Sequence, residues 1–184
     1  GCSMGSLIGG IYAASKLDEF ETWIRALTKL DILALLDISW SRSGLVQGDK
    51  IIDTLKDLVG DLTIEDLPIP FTAVATDLNS EKEVWINSGS LFDAIRASIS
   101  LPLFFTPYDH NGTKLIDGGV LNPVPIAPTF SDDTDMTIAV NLGGPLENVK
   151  VIKNKQKMPL KELEMCQEKI GSFIERFQKK IGIE

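Results

Sequence analysis

Apolar residues recur at helical spacing in some segments of the chain and run continuously in others. Apolar positions three and four residues apart predict helices over residues 6–15, 18–30, 48–59, 90–100 and 160–181. Asp18 and Ser90 are in position to cap the helices that begin beside them. Strands are predicted from apolar runs over residues 71–78, 84–87, 114–117 and 136–142. Because buried strands alternate with helices, we expect an α/β fold with a mostly parallel central sheet.

Charge divides the chain near residue 150. The 184 residues carry a net charge of −8. Residues 1–149 contain 21 acids and 9 bases, whereas residues 150–184 contain 5 acids and 9 bases. We therefore predict a first domain over residues 1–149, followed by a lysine-rich connector and an amphipathic C-terminal helix over residues 150–184. The acidic balance of the whole chain argues against nucleic-acid binding.

The start of the second segment carries five lysines and no acid: Lys150, Lys153, Lys155, Lys157 and Lys161. One interpretation is a solvated connector, since the lysines stand beside residues typical of loops. The other is a basic patch that contacts an anionic surface such as phospholipid headgroups. The sequence leaves both open.

Few residues are available for metal or imidazole chemistry. The usual spacing of a zinc site cannot be formed from the two cysteines, Cys2 and Cys166, and the single histidine, His110. We therefore expect no metal and no cofactor. Any Ser-His-Asp or Cys-His group would have to use His110.

The apolar runs are too short to span a bilayer and no secretory pattern is present, so we expect a cytoplasmic protein. Contact through the lysines would make it peripheral at a membrane.

The pattern Gly1-x-Ser3-x-Gly5 is typical of a sharp strand-to-helix turn that presents a nucleophile. Glycines on both sides would leave room for a strained serine, and the Met4 N–H at the helix start would face an oxyanion. The pattern alone favours a simple glycine-rich turn that opens a helix, so a nucleophile needs further support. A phosphate-binding loop is disfavoured because the lysine of a P-loop is missing.

Asp117 stands at the end of a predicted strand and is followed by Gly118 and Gly119. A carboxylate at this end of a strand lies where α/β folds place their sites. The same Asp-Gly pair is also common in turns. Taken together with Ser3, it indicates a nucleophile and a base supplied by separate strand ends.

Four stretches resemble the patatin-like phospholipase family in the expected order: residues 1–5, 71–78, 94–102 and 115–125. The resemblance covers residues 1–144 and implies a three-layer α/β/α fold. It also implies a lipid acyl hydrolase, cleaving carboxylic esters through a Ser-Asp dyad and an acyl-enzyme. Ser3 would be the nucleophile and Asp117 its base, with Met4 as the oxyanion donor and Gly1, Gly5 and Gly118 as motif glycines. We then expect Asp117 to be shielded from water, with Ser3 Oγ within hydrogen-bonding distance.

Two parts that the family places earlier are not found in this sequence, namely the strand leading into the turn and a glycine-rich loop that completes the oxyanion hole. We therefore expect the sequence to be a piece of a longer chain. The alternative function is a non-catalytic binding or scaffold domain that kept the fold and lost its oxyanion loop.

Two further residues and one apolar segment have two interpretations each. His110 precedes Asn111-Gly112 and is expected in a turn, although it could compete with Asp117 as a base. Cys2 could be a second nucleophile but is expected to point into the core. An apolar segment either lines an acyl-chain pocket or belongs to the core: Leu101, Leu103, Phe104 and Phe105.

Overall fold

The structure is a computed structural model that describes residues 1–28, 31–32, 35 and 46–144. Its helices are α1 (Met4–Ala13), α2 (Leu17–Ala26), α3 (Asp49–Val59) and α4 (Leu91–Ser98). Its strands are β1 (Ala73–Asp77), β2 (Lys82–Ile86), β3 (Tyr108–His110) and β4 (Thr113–Asp117). Single 3-10 turns cover Ile64–Asp66, Gly118–Val120 and Ala127–Thr129.

The four strands form one sheet in the order β2-β1-β4-β3, and each neighbouring pair is antiparallel. The α/β class is confirmed, but the expected mostly parallel sheet is not seen among the described residues. Short turns account for two of the three pairs, β1 with β2 and β3 with β4, because strands joined by a tight turn must run antiparallel. The third pair, β1 with β4, is antiparallel although a long connection separates the two strands in the chain. Asn111 and Gly112 join β3 to β4 with φ values of 52° and 83°, as a two-residue hairpin turn requires. The three-layer arrangement remains a prediction.

Helix α4 is the centre of the core. It contacts β1, β3, β4, α1 and α3, and Leu91, Phe92 and Ile95 are fully buried. The Ser90 cap is confirmed, since its hydroxyl accepts a hydrogen bond from the Asp93 N–H at 3.3 Å. The predicted Asp18 cap is wrong, because α2 begins at Leu17 and its N-cap position is Lys16.

Residues 136–142 differ from the prediction of a buried strand. They form no strand in the structure, and Met136, Ile138, Val140 and Leu142 are between 73% and 92% exposed. An apolar run of this kind predicts burial on both faces, but no described strand pairs with this segment. The predicted helix over residues 160–181 and the lysine-rich connector lie outside the described residues, and the domain boundary at residue 149 stays a prediction.

Candidate active site

Ser3 occupies a strained turn between a short extended segment and α1. Its φ of 52° and ψ of −129° are unusual for a residue with a side chain. Such backbone strain costs roughly 1–3 kcal/mol and persists only where the surrounding structure holds it. The extended segment is fixed by a parallel bridge between Cys2 and Val74, in which the Val74 N–H donates to Gly1 O at 2.8 Å. The predicted sharp turn is therefore present.

The two glycines that flank the turn are not equivalent. A Cβ on Gly1 would lie 2.8 Å from Gly5 O, so this position has no room for a side chain. A Cβ on Gly5 would meet nothing within 4 Å among the described atoms. The expectation that both glycines make room is thus right for Gly1 and wrong for Gly5.

Ser98 holds the Ser3 backbone in this turn. The Ser3 N–H donates to both the carbonyl oxygen of Ser98, at 3.2 Å, and its hydroxyl oxygen, at 3.1 Å. The Ser98 hydroxyl itself donates to Val74 O at 2.6 Å, and the residue is fully buried. The sequence analysis missed this role, because Ser98 lies within a predicted helix far from Ser3 in the chain. Only the three-dimensional contact between the two residues reveals it.

Asp117 is the last residue of β4 and is 2% exposed, as expected for a shielded carboxylate. Its N–H donates to Ser100 O at 3.0 Å, and its Oδ1 accepts the Gly119 N–H at 2.7 Å. Its Oδ2 has no hydrogen-bond partner among the residues that the structure describes. The expected hydrogen bond from Ser3 Oγ to this carboxylate is therefore not formed. The carboxylate instead caps the 3-10 turn Gly118–Val120 through Oδ1.

Gly118 allows the chain after Asp117 to pass close to β1. A Cβ at this position would lie 2.2 Å from Val74 O, well inside van der Waals contact with a backbone atom. Any other residue would push β4 away from β1. Close packing against β1, and not turn formation alone, therefore explains why a glycine follows Asp117.

Ser3 and Asp117 line the same cavity, which has a volume of about 870 Å³. Cys2, Met4 and Gly119 also line this cavity. Much of its remaining lining is apolar and includes Leu101, Val120, Pro123, Val124, Ile126 and Leu142. Of the apolar segment that was expected to line a pocket or the core, Leu101 lines this cavity, whereas Leu103 and Phe104 are exposed. Phe105 instead packs on the Arg96 guanidinium.

Cys2 lies in the site and not in the core. The residue is half-buried, and its Sγ donates to Pro123 O at 3.6 Å. Burial raises the pKa of the Cys2 thiol above its ordinary value, and the negative charge of Asp117 raises it further. The expected core position is wrong, and both effects disfavour the thiolate form of Cys2.

His110 lies at the end of β3, paired with Thr113 across the Asn111-Gly112 turn. It is not among the described residues that line the cavity. The expectation that His110 is itself a turn residue on a loop is wrong, because it is the last residue of β3 and only Asn111 and Gly112 form the turn. Asp117 is then the one carboxylate in the described lining, which contains no imidazole.

Other sites are less suited to chemistry. A cavity of about 380 Å³ beside Trp23 and Asp53 has no serine or cysteine in its described lining. No cluster of three or more His, Cys, Asp or Glu side chains suited to a metal occurs in the described ranges. Within the part of the chain with described coordinates, no helix has the length and apolar character needed to cross a membrane.

The chain is similar in sequence to several proteins. An NTE family protein of Mycobacterium tuberculosis is 50% identical over 144 residues, covering 78% of this chain and 40% of that protein. A patatin-like phospholipase domain-containing protein of Caenorhabditis elegans is 34% identical over 132 residues, covering 68% of this chain and 10% of its own length. Neuropathy target esterase sws of Drosophila grimshawi is 31% identical over 132 residues, covering 68% of this chain and 9% of its own length.

The chain therefore spans two fifths or less of the length of these relatives. A sequence model of one family, described as Patatin-like phospholipase, matches residues 1–130. This match includes the Ser3 turn, Ser98 and the Asp117-Gly118-Gly119 segment. The chain belongs to the patatin-like phospholipase family.

Proposed function

We propose that this chain carries the catalytic dyad of a lipid acyl hydrolase, with Ser3 as nucleophile and Asp117 as general base. The observation that carries the proposal is the shared cavity, which is lined both by a strained serine and by a buried carboxylate with an unpartnered oxygen. Family membership supports a hydrolase acting on lipid esters. The absence of an imidazole from the described lining leaves Asp117 as the available base.

The proposed reaction has two halves. Ser3 Oγ bonds to the ester carbonyl carbon while Asp117 Oδ2 accepts its proton, and the leaving alcohol then takes that proton as the ester bond breaks. Water next attacks the acyl-serine, gives a proton to Asp117, and releases the carboxylic acid as Ser3 is reprotonated. Catalytic hydrogen bonds are often long before substrate binds, so the open Oδ2 is compatible with this role.

Met4 is proposed as an oxyanion donor. It is the first residue of α1, so its N–H has no acceptor within the helix. The positive end of the helix dipole adds to its effect on a developing negative charge. A donor of this kind contributes about 3 kcal/mol to transition-state stabilisation.

The substrate proposed is a lipid or another ester with an apolar acyl chain. The apolar part of the cavity wall would hold the chain, and a pocket of this size suits a lipid-sized ligand. Phospholipase, lysophospholipase and simple esterase activity share this chemistry. Peripheral membrane contact through the lysine-rich segment stays a separate prediction. Co-sedimentation with anionic vesicles at low and high salt tests it.

The test compares p-nitrophenyl butyrate hydrolysis and fluorophosphonate labelling in four variants. Ser3→Ala and Asp117→Asn should each abolish hydrolysis, and Ser3→Ala should also abolish labelling. Ser80→Ala, in the turn between β1 and β2, and Asp109→Asn, on β3, are matched controls outside the described cavity lining and should keep wild-type rates. Wild-type hydrolysis by Asp117→Asn would contradict the dyad.

A non-catalytic binding domain is the second candidate. It is favoured by the missing hydrogen bond between Ser3 Oγ and Asp117, since Oδ2 has no described partner. In that case the wild type and Ser3→Ala would hydrolyse the ester equally slowly. A spin-labelled fatty acid would still bind in the cavity of both proteins.

A further inference from the structure

Ser98 connects three backbone segments through one buried side chain. Its hydroxyl donates to Val74 O in β1 and accepts the Ser3 N–H, while its carbonyl oxygen accepts the same N–H. The residue is the last of α4 and is fully buried. Only a side chain that both donates and accepts a hydrogen bond can make this pair of contacts.

The acceptor of the Ser98 hydroxyl also defines the position of Asp117. Gly118 packs so closely on Val74 O that no Cβ would fit, and Asp117 pairs with Ala75, the next residue along β1. The backbone of β1 at Val74 and Ala75 therefore positions both the Ser3 turn and Asp117. Ser98 provides the link between Val74 and Ser3.

Ser3 needs such a link because its backbone conformation is strained. A serine with a φ of 52° is disfavoured unless neighbouring groups hold it. The Ser98 carbonyl oxygen and hydroxyl oxygen both accept the Ser3 N–H, and these two hydrogen bonds hold the strained backbone. Without the hydroxyl, the remaining carbonyl contact would allow the turn to relax and Oγ to move.

We propose that Ser98 is a positioning residue that holds the Ser3 backbone, and so its Oγ, in register with Asp117. This rests on the proposed function of Ser3 as nucleophile. Ser98 is not in the described cavity lining, so it acts on substrate only through Ser3. Its loss should lower kcat and leave KM nearly unchanged, because misplacement of a reacting group by about 1 Å can cost about 100-fold in rate.

The experiment measures kcat and KM for Ser98→Ala, Ser98→Cys, Ser98→Thr and Ser90→Ala. Ser98→Ala should lose about 100-fold in kcat. Ser98→Cys, with a weaker hydrogen-bonding group, should remain low, and Ser98→Thr should recover activity because it restores the hydroxyl. Ser90→Ala is the matched control, since it removes the cap at the other end of the same helix without touching Ser3.

Amide hydrogen exchange at Ser3 gives a second readout that needs no catalysis. Ser98→Ala should raise exchange at Ser3 beyond any change in global unfolding, whereas Ser90→Ala should change it only in proportion to its lost stability. Equal loss of kcat in Ser98→Ala and Ser90→Ala, or unchanged Ser3 exchange in Ser98→Ala, would overturn the proposal. If wild type and Ser3→Ala are equally inactive, the proposed function fails, and Ser3 exchange alone then decides whether Ser98 holds this turn.

Discussion

Cys2 and Asp117 occupy adjacent positions along one edge of β1. Cys2 pairs with Val74 in the parallel sense, and Asp117 pairs with Ala75 in the antiparallel sense. Cys2 immediately precedes the Ser3 turn, and Asp117 itself carries the unpartnered carboxylate oxygen. The proximity of segments distant in sequence therefore comes from backbone pairing with a single strand.

The close approach of Gly118 to β1 predicts that an added methyl group will not be tolerated. Gly118→Ala should lower the free energy of unfolding by about 3 kcal/mol, because the Cβ would meet the rigid carbonyl of Val74 at 2.2 Å. Urea denaturation followed by circular dichroism measures this. Gly5→Ala is the control: its Cβ meets nothing described, and alanine should raise stability by up to about 1 kcal/mol. Similar stability for both variants would contradict the packing argument.

Two successive glycines in α1 should respond differently to alanine. A Cβ at Gly10 would lie 2.9 Å from Ile95 Cδ1 and 3.1 Å from Leu91 Cδ1, whereas a Cβ at Gly9 would be 3.8 Å from Phe71. Gly9→Ala should stabilise the protein by about 1 kcal/mol through helix propensity. Gly10→Ala should destabilise it by about 1 kcal/mol, because overpacking of α1 against α4 outweighs that gain. Thermal unfolding of the two variants measures the difference, and a more stable Gly10→Ala protein would refute it.

Arg96 is a buried cation whose removal should leave several acceptors unpaired. It is 3% exposed, donates to Ser100 Oγ at 2.6 Å and to Gln47 O, and pairs with Asp49 at 3.5 Å. Arg96→Met keeps most of the volume but should lower the free energy of unfolding by about 3 kcal/mol.

Arg25→Met is the control for this variant, since Arg25 pairs with Glu21 on the surface and contributes little. Equilibrium unfolding in urea compares the two. Equal stability of the two variants would contradict this prediction and would mean that water satisfies the acceptors around position 96.

The thiol of Cys2 should react slowly with iodoacetamide at neutral pH. Burial and the Asp117 charge both raise its pKa, and only the thiolate is nucleophilic, so the rate should increase above pH 9. Asp117→Asn removes one of the two causes and should shift the profile to lower pH. The measurement uses a Cys166→Ser background, in which Cys2 is the remaining thiol.

A rate profile unchanged by Asp117→Asn would show that the thiol and the carboxylate do not interact. Because both line the cavity, complete alkylation of Cys2 should also block fluorophosphonate labelling of Ser3.

Local patterns predicted the helices around Ile52 and Ile95, the turn at Asn111-Gly112 and the sharp turn at Ser3, although not the strand β3 that makes the Asn111 turn a hairpin. In each case the relevant physics is contained in a few consecutive residues: apolar spacing, a cap, or a glycine that permits positive φ. The burial of Asp117 was also expected, because the resemblance assigned it a role as base.

Features set by distant partners were not predicted. The antiparallel sheet follows from which strands pair, and an apolar run such as residues 136–142 does not specify its partner or its burial. The roles of Ser98 and Gly118 depend on Val74, which is far from both in the chain. The orientation of Cys2 toward Pro123 likewise depends on a loop that folds back over the turn.

The Val74 side chain is apolar and fully buried, yet the contacts that matter here are made by its peptide group. An alanine scan would score this position as ordinary packing, since it leaves main-chain atoms in place. Replacing Ala75 by lactic acid would convert the Val74 carbonyl into a weaker ester acceptor without changing any side-chain shape. Protein semisynthesis, more than codon substitution, is thus the means to probe how the Val74 carbonyl fixes the Ser3 turn and the chain after Asp117.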